Sequence, residues 1–125
     1  AIAFALAEAG VTHLSIANRT RAKSDDLAAR LAKLHPGLKV DTAPEGAVGH
    51  DLVVNATSLG LREGDPLPLD VTPLQPGQIV AEIIMAPEMT PLLIAAKEKG
   101  CRIHLGRPML DAQLALMCAY LGLTA

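Results

Sequence analysis

Short apolar segments alternate with longer helical ones along almost the whole chain, and this alternation limits the fold more than any other feature. His13-Leu-Ser-Ile-Ala17, Leu38–Thr42, Asp51-Leu-Val-Val-Asn-Ala56, Gln78–Ile84 and Cys101–Leu105 read as strands. Between and after them come Ala22–Leu34, a helix opening at Thr90-Pro91 and ended by Gly100, and Pro108–Leu121 stopped by Gly122. Thr90 is a capping residue, and Pro91 tolerates the first helical position because its missing N–H is not needed there. Strands alternating with helices predict an α/β fold: a doubly wound parallel sheet, right-handed crossovers and helices on both faces. Asp51–Ala56 reads as a buried strand from its continuous apolar run. Pro44-Glu-Gly46 reads as a loop, and a longer proline- and glycine-rich loop runs on to Gly77.

The opening, Ala1-Ile-Ala-Phe-Ala-Leu-Ala-Glu-Ala-Gly10, has neither an N-cap nor an initiator Met. It reads as the later turns of an apolar helix, buried on most sides and closed by Gly10. The expectation is a chain cut inside that helix, with a first strand and a glycine-rich turn upstream. In a doubly wound sheet of order 3-2-1-4-5-6, Leu38–Thr42 should then pair outside His13–Ala17. Gln78–Ile83 should pair with Asp51–Asn55, and Cys101–His104 with Gln78–Ile83. His13–Ala17 and Asp51–Asn55 should flank a one-strand gap of roughly 10 Å, twice the strand spacing.

The chemistry starts where the first strand ends. Asn18-Arg-Thr-Arg-Ala-Lys23 is a polar, basic turn leading into a helix. At this place a dinucleotide fold reads the adenosine ribose, and an NAD site usually puts a carboxylate there for the 2′-OH. Here Arg19 and Lys23 take its place. They attract a 2′-phosphate, and Arg can hold it bidentately. The residues therefore read as an NADP site, with a solvated turn of surface cations as the competing interpretation. Three further segments carry polar groups at telling places. Asn55-Ala-Thr-Ser-Leu-Gly60 sits at the carboxyl end of a strand, where open α/β sheets bind ligands. Glu82 interrupts an apolar strand, either solvated near the exit or paired; nothing local supplies a proton-transfer partner, so the solvated reading is preferred. Met109, Gln113 and Met117 fall on one helical stripe, where a buried Gln needs hydrogen-bond partners or a ligand. Arg107 reads as a solvated loop cation.

Composition closes off other classes. The 125 residues suit about one domain, 50% hydrophobic, with a formal net charge of −2. That leaves no broad basic field for nucleic acid. Phe4 and Tyr120 are the only aromatics, too few to stack single strands. No apolar run approaches the roughly 20 residues that span a membrane. Cys101 and Cys118 lack metal or redox spacing, and the four His residues form no ligand cluster. With no signal peptide in view, the cytoplasm is the expected compartment.

Three of these motifs, in order and at the right spacing, resemble one family. Asn18-Arg-Thr-Arg-Ala-Lys23 is similar to the N-R-T-x-x-[RK] phosphate clamp of shikimate dehydrogenases. Asn55-Ala-Thr-Ser-Leu-Gly60 resembles that family's N-A-T-S-x-G turn, and Gly106-Arg-Pro-Met-Leu-Asp-Ala-Gln113 its G-x-x-M-L-x-x-Q motif. The resemblance covers essentially the whole chain. It implies a Rossmann-like NADP-binding domain, spanning residues 1–125, of an oxidoreductase that moves hydride between NADPH and 3-dehydroshikimate to give shikimate. It places Asn18, Arg19, Thr20 and Lys23 at the adenosine phosphate. It puts Asn55, Thr57 and Ser58 in the cofactor cleft, Ile83 and Gly106 at the nicotinamide, and Met109 packed beside it. Gln113 would bond a substrate hydroxyl. Met85 stands where many members have a substrate-facing Tyr, which leaves quinate or a related polyol acid open as substrate. The family's catalytic Lys–Asp pair belongs to an N-terminal substrate domain, so no catalytic residue is assigned within this chain, nor any metal ligand. The expected partners are the small-molecule substrate and that N-terminal domain, and a homodimer is among the assemblies this allows. A non-catalytic Rossmann-like binding module is the alternative of a different class. Another two-domain NADP enzyme, such as glutamyl-tRNA reductase or methylene-tetrahydrofolate dehydrogenase, is the third, disfavoured by the Met109…Gln113 motif.

Overall fold

The computed structural model describes residues 1–42 and 46–123. Of the expected loop at Pro44-Glu-Gly46, only Gly46 lies among them. The chain falls into two compact units, Ala1–Glu45 and Gly46–Ala125.

The first unit holds α1 (Ile2–Glu8), β1 (His13–Ser15), α2 (Arg21–Leu34) and β2 (Lys39–Asp41). β1 and β2 run parallel, with His13 opposite Lys39 and Ser15 opposite Asp41. The expected pairing of these two segments is therefore present, over fewer residues than the sequence indicates. Asp41 ties the pair by side chains as well: the Ser15 hydroxyl donates to its Oδ2 at 2.9 Å, and His13 Nε2 lies 2.6 Å from the same oxygen. α2 turns Ser24, Leu27 and Leu31 inward at helical spacing, with Leu31 fully buried. Burying such a leucine contributes about 1.5–3 kcal/mol. The Ser24 hydroxyl, also buried, donates to Arg21 O at 2.8 Å and so leaves no unsatisfied polar group there. α1 packs on α2, where the Arg30 guanidinium sits 5.4 Å from the Phe4 ring centroid. The expectation that α1 is buried on most sides does not hold, since none of its residues is buried. A helix apolar all round needs cover all round, and within this unit α2 covers one side only.

The second unit holds β3 (Leu52–Asn55), β4 (Ile79–Glu82), α3 (Pro91–Glu98), β5 (Arg102–His104) and α4 (Arg107–Tyr120). Its sheet has the order β3-β4-β5, all parallel, with Asn55 opposite Glu82 and Val80 opposite Ile103. The expected order is thus met on this side as well. Which strand is buried differs from expectation. β3 is an edge of this sheet, with Leu52 exposed and Val53 and Val54 half-buried. β4 lies between two strands and is the buried one, Val80, Ala81 and Glu82 all being covered. Burial follows the number of neighbouring strands, which an apolar run does not encode. Leu92, Leu93 and Ala96 of α3 close on Val80, Leu74, Ala47 and Cys101 to form the core. Thr90 caps α3 as expected: its Oγ1 accepts from Leu93 N at 3.4 Å, and Pro91 follows.

The stripe of Met109, Gln113 and Met117 on α4 is not a buried one. None of its residues is buried, and Leu114, Leu116, Met117 and Tyr120 are exposed. Its apolar face has no core to join among the described residues. Arg107 is the first residue of α4 rather than a loop cation, and its Nε donates to Asp111 Oδ1 at 3.0 Å one turn on. Among the described residues no helix is long and apolar enough to cross a membrane.

Candidate functional site

In the first unit the chain leaves β1 and enters α2 through the basic turn. Asn18 Oδ1 accepts from Thr20 N at 2.8 Å, an Asx turn that bends the backbone toward the helix. Thr20 is the N-cap residue, but its hydroxyl caps nothing, and the first turn of α2 has no acidic residue. The leading N–H groups of α2 thus carry the partial positive charge of a helix start without an internal acceptor from either side chain. Arg19 and Lys23 are exposed, and among the described residues neither side chain has an ion pair or hydrogen bond. Arg21, by contrast, is engaged: its Nε donates to Asp25 Oδ1 at 3.3 Å. The Thr42 hydroxyl donates to the same oxygen at 2.8 Å and, with Arg21, holds the Asp25 carboxyl below its ordinary range. Two uncommitted cations beside an open helix start make a donor set that fits a phosphate dianion. Asn18, Arg19, Thr20 and Lys23 are brought together here.

In the second unit the carboxyl ends of β3 and β4 meet around one buried carboxylate. Glu82 is fully buried, so its preferred reading as a solvated strand-end group is wrong. Asn55 Nδ2 donates to both its oxygens at 3.0 Å, Thr90 Oγ1 donates to Oε2 at 3.0 Å, and the Ile83 and Ile84 amides donate to Oε1 at 3.0 and 3.3 Å. All four groups donate, as an acceptor-only carboxylate needs when it is removed from water. Nothing local in the sequence identified Asn55 as a partner, because it lies 27 residues earlier. One signal was available: Asn55 and Glu82 are each the last residue of neighbouring parallel strands.

Asn55 is itself fully engaged. It is 2% exposed, its Nδ2 also donates to Leu59 O at 3.0 Å, and its Oδ1 accepts from Thr57 N at 3.0 Å and Thr57 Oγ1 at 2.7 Å. Leu59 N donates to Thr57 Oγ1 at 3.1 Å. The turn from Asn55 to Gly60 is therefore held from inside, and Ser58 is left exposed. Gly60 closes it at φ +108°, a conformation side chains disfavour. Gly60 N and Arg62 N both donate to Asp65 Oδ2, at 3.1 and 3.0 Å. The backbone N–H of Arg62 and then that of Gly60 lower the Asp65 pKa.

Gly106 explains why β5 can turn into α4 beside the β4 exit. A Cβ built there would overlap Ile84 O and lie 2.7 Å from Ile84 C and 2.8 Å from Ile83 C. Only a residue without a side chain allows that approach. Ile83 and Gly106 are thus brought together. Met109 is half-buried on the first turn of α4; Met85 and Gln113 are exposed. The Gln113 side chain makes no hydrogen bond among the described residues and is not bound into a core. Among the described residues no group of three His, Cys, Asp or Glu side chains could hold a metal ion.

No family model matches the sequence. Individual relatives do. The NADP(+)-dependent shikimate dehydrogenase of Rubrobacter xylanophilus is 41% identical over 116 residues, covering 88% of this chain and 40% of that protein. The shikimate 5-dehydrogenase of Thermus thermophilus, solved with NADP(H) and shikimate, superposes with a TM-score of 0.77 at 34% identity, over 97% of this chain and 44% of that one. The quinate dehydrogenase of Corynebacterium glutamicum, solved with NAD, gives 0.78 at 28% identity, over 87% of this chain and 40% of that one. The chain spans about two fifths of the length of the curated relatives it matches. Over the part of those proteins that it spans, the chain is similar to shikimate dehydrogenases both in sequence and in its Rossmann-like α/β fold.

Proposed function

We propose that residues 1–125 form the NADP-binding part of a shikimate dehydrogenase, which moves hydride between NADPH and 3-dehydroshikimate to give shikimate in aromatic amino acid biosynthesis. The observation that carries this reading is the uncommitted pair Arg19 and Lys23 beside the open start of α2. Asn18, Arg19, Thr20 and Lys23 would hold the adenosine 2′-phosphate. Asn55 and Thr57, whose polar atoms are engaged within the chain, would shape the turn that presents Ser58 to the cofactor. Ile83, Gly106 and Met109 would bound the nicotinamide, and Gln113 and Met85 would face the substrate. The bound dinucleotide supplies the hydride; the residues here bind and orient. The proton-transfer pair would come from an N-terminal domain of the same cytoplasmic protein, with self-association into a dimer as a further expectation.

A second substrate reading rests on Met85, which is exposed and offers a thioether where a phenol is common in the family. A thioether is a poor hydrogen-bond partner, so discrimination against quinate would be weak. The test of the main reading is calorimetric titration with NADPH and NADH, before and after Arg19→Ala. A hydrogen bond to a charged group contributes roughly 1.5–3 kcal/mol, so the variant should bind NADPH about ten- to a hundredfold more weakly. NADH binding should be unchanged. Equal losses for both cofactors would refute the phosphate clamp.

A further inference from the structure

Glu82 occupies a place that the proposed binding roles do not use. It is fully buried at the end of the central strand β4, and four groups from three segments donate to it. One of them, Asn55, is the hub of the Asn55–Gly60 turn, and its other polar contacts all go to Thr57 and Leu59. Two others, the Ile83 and Ile84 amides, are the backbone that leads out of β4. The fourth, Thr90, caps α3 and packs on Gly60, whose added Cβ would lie 3.6 Å from Thr90 Cβ and 3.5 Å from Ile84 Cδ1.

We infer that Glu82 is a positioning residue, whose carboxylate locks the β3 exit turn and the β4 exit backbone into one rigid rim. The inference rests on the reading that this rim receives the nicotinamide half of the dinucleotide. Its physical basis is directional. Asn55 Nδ2 turned toward Glu82 fixes the amide plane, and only that orientation puts Oδ1 on Thr57 N and Oγ1. Replacing either carboxylate oxygen by an NH2 sets donor against donor at Asn55 Nδ2, which lies 3.0 Å from both oxygens, a conflict that has no local remedy in a buried site. Once Asn55 can rotate, the turn loses the acceptor at its centre, and Ser58 and the Ile83 backbone no longer hold a fixed separation.

The test combines amide hydrogen exchange on the cofactor-free protein with NADPH titration, for Glu82→Gln and Glu82→Asp, with Val80→Ala as a control for general loss of stability in β4. In Glu82→Gln the Thr57 and Leu59 amides should exchange at least tenfold faster, while those of Val80 and Arg102 in the ladders stay as protected as before. NADPH affinity should fall about tenfold. Val80→Ala should speed the ladder amides without singling out the turn. Should Glu82→Gln not fold, Glu82→Asp, which keeps the charge on a shorter arm, decides by the same comparison. Unchanged exchange at Thr57 and Leu59, or a rise matched in the ladders, would overturn the inference. The exchange arm needs no ligand, so a wild-type protein that fails to bind NADPH refutes the proposed function while leaving the holding role of Glu82 measured.

Discussion

Gly106→Ala tests the closest backbone approach at the site. The added methyl would lie 2.7 Å from Ile84 C and 2.8 Å from Ile83 C, with Ile84 O nearer still. Carbon atoms settle at about 3.5–4.0 Å, so relief needs a movement of roughly 1 Å. The atoms that block the methyl are backbone, held at one end by the β3–β4 ladder and at the Ile83 and Ile84 amides by Glu82. They cannot swing aside as a flexible side chain would. Overpacking of this sort costs typically 1–3 kcal/mol, a large part of the 5–15 kcal/mol that stabilises an ordinary domain. Denaturant unfolding should show a lower midpoint at unchanged slope, the sign of lost stability without a changed unfolded state. The control is Gly37→Ala, since a Cβ there meets nothing within 4 Å. It should be neutral or add up to about 1 kcal/mol by restricting the unfolded chain. NADPH affinity should fall only in Gly106→Ala. A Gly106→Ala protein that unfolds at the wild-type midpoint would refute the close approach, and with it the account of how β5 passes into α4.

Two further outcomes are expected. Gln113→Ala should raise KM or lower kcat for shikimate in the active enzyme, with NADPH affinity and melting temperature unchanged, because Gln113 is exposed and unbonded here; a large drop in melting temperature would instead mark a structural role. Asp25, Asp65 and Asp70 all have lowered pKa values, Asp25 chiefly through the Thr42 hydroxyl, Asp65 through the Arg62 amide and Asp70 through the Thr72 hydroxyl. A lowered folded-state pKa contributes stability that is fully present above the unfolded aspartate value of about 3.9 and is lost as pH falls through the folded one. Denaturation midpoints should therefore drop as pH falls below about 4, and less steeply in Asp65→Asn; an identical acid slope in that variant would remove Asp65 from the explanation.

Local signals carried most of the element map. Thr90 followed by Pro91 marks the start of α3, and Pro36-Gly37 marks the end of α2, because caps and breakers act on their own neighbours. The strand pairings were legible as well, since strands joined by helices must run parallel and few orders remain. What stayed hidden depends on residues far apart in sequence. Leu52-Val-Val looks as buried as Ile79-Val-Ala, and only the strand order separates the edge from the centre. The partners of Glu82 come from two other segments, so the residue reads as a solvated exception until β3 is laid beside β4. The basic turn was legible as residue types. That Arg19 and Lys23 remain uncommitted while Arg21 is paired was not, because pairing depends on which side chain reaches Asp25.

The exposure of α4 bears on how tightly any ligand could be held there. A helix of 14 residues that buries none of them is near the length at which isolated helices are only marginal in water. Within residues 1–125 only Met109, Leu110 and Cys118 of α4 are even half-buried, so packing here lends it little order. A substrate hydroxyl that engages Gln113 would also have to restrict the motions of α4, and the conformational entropy lost offsets part of the attraction. The measured affinity would then understate the contact. A second surface that covered Leu114, Met117 and Tyr120 would bear that entropy cost beforehand, and would tighten substrate binding without touching the substrate.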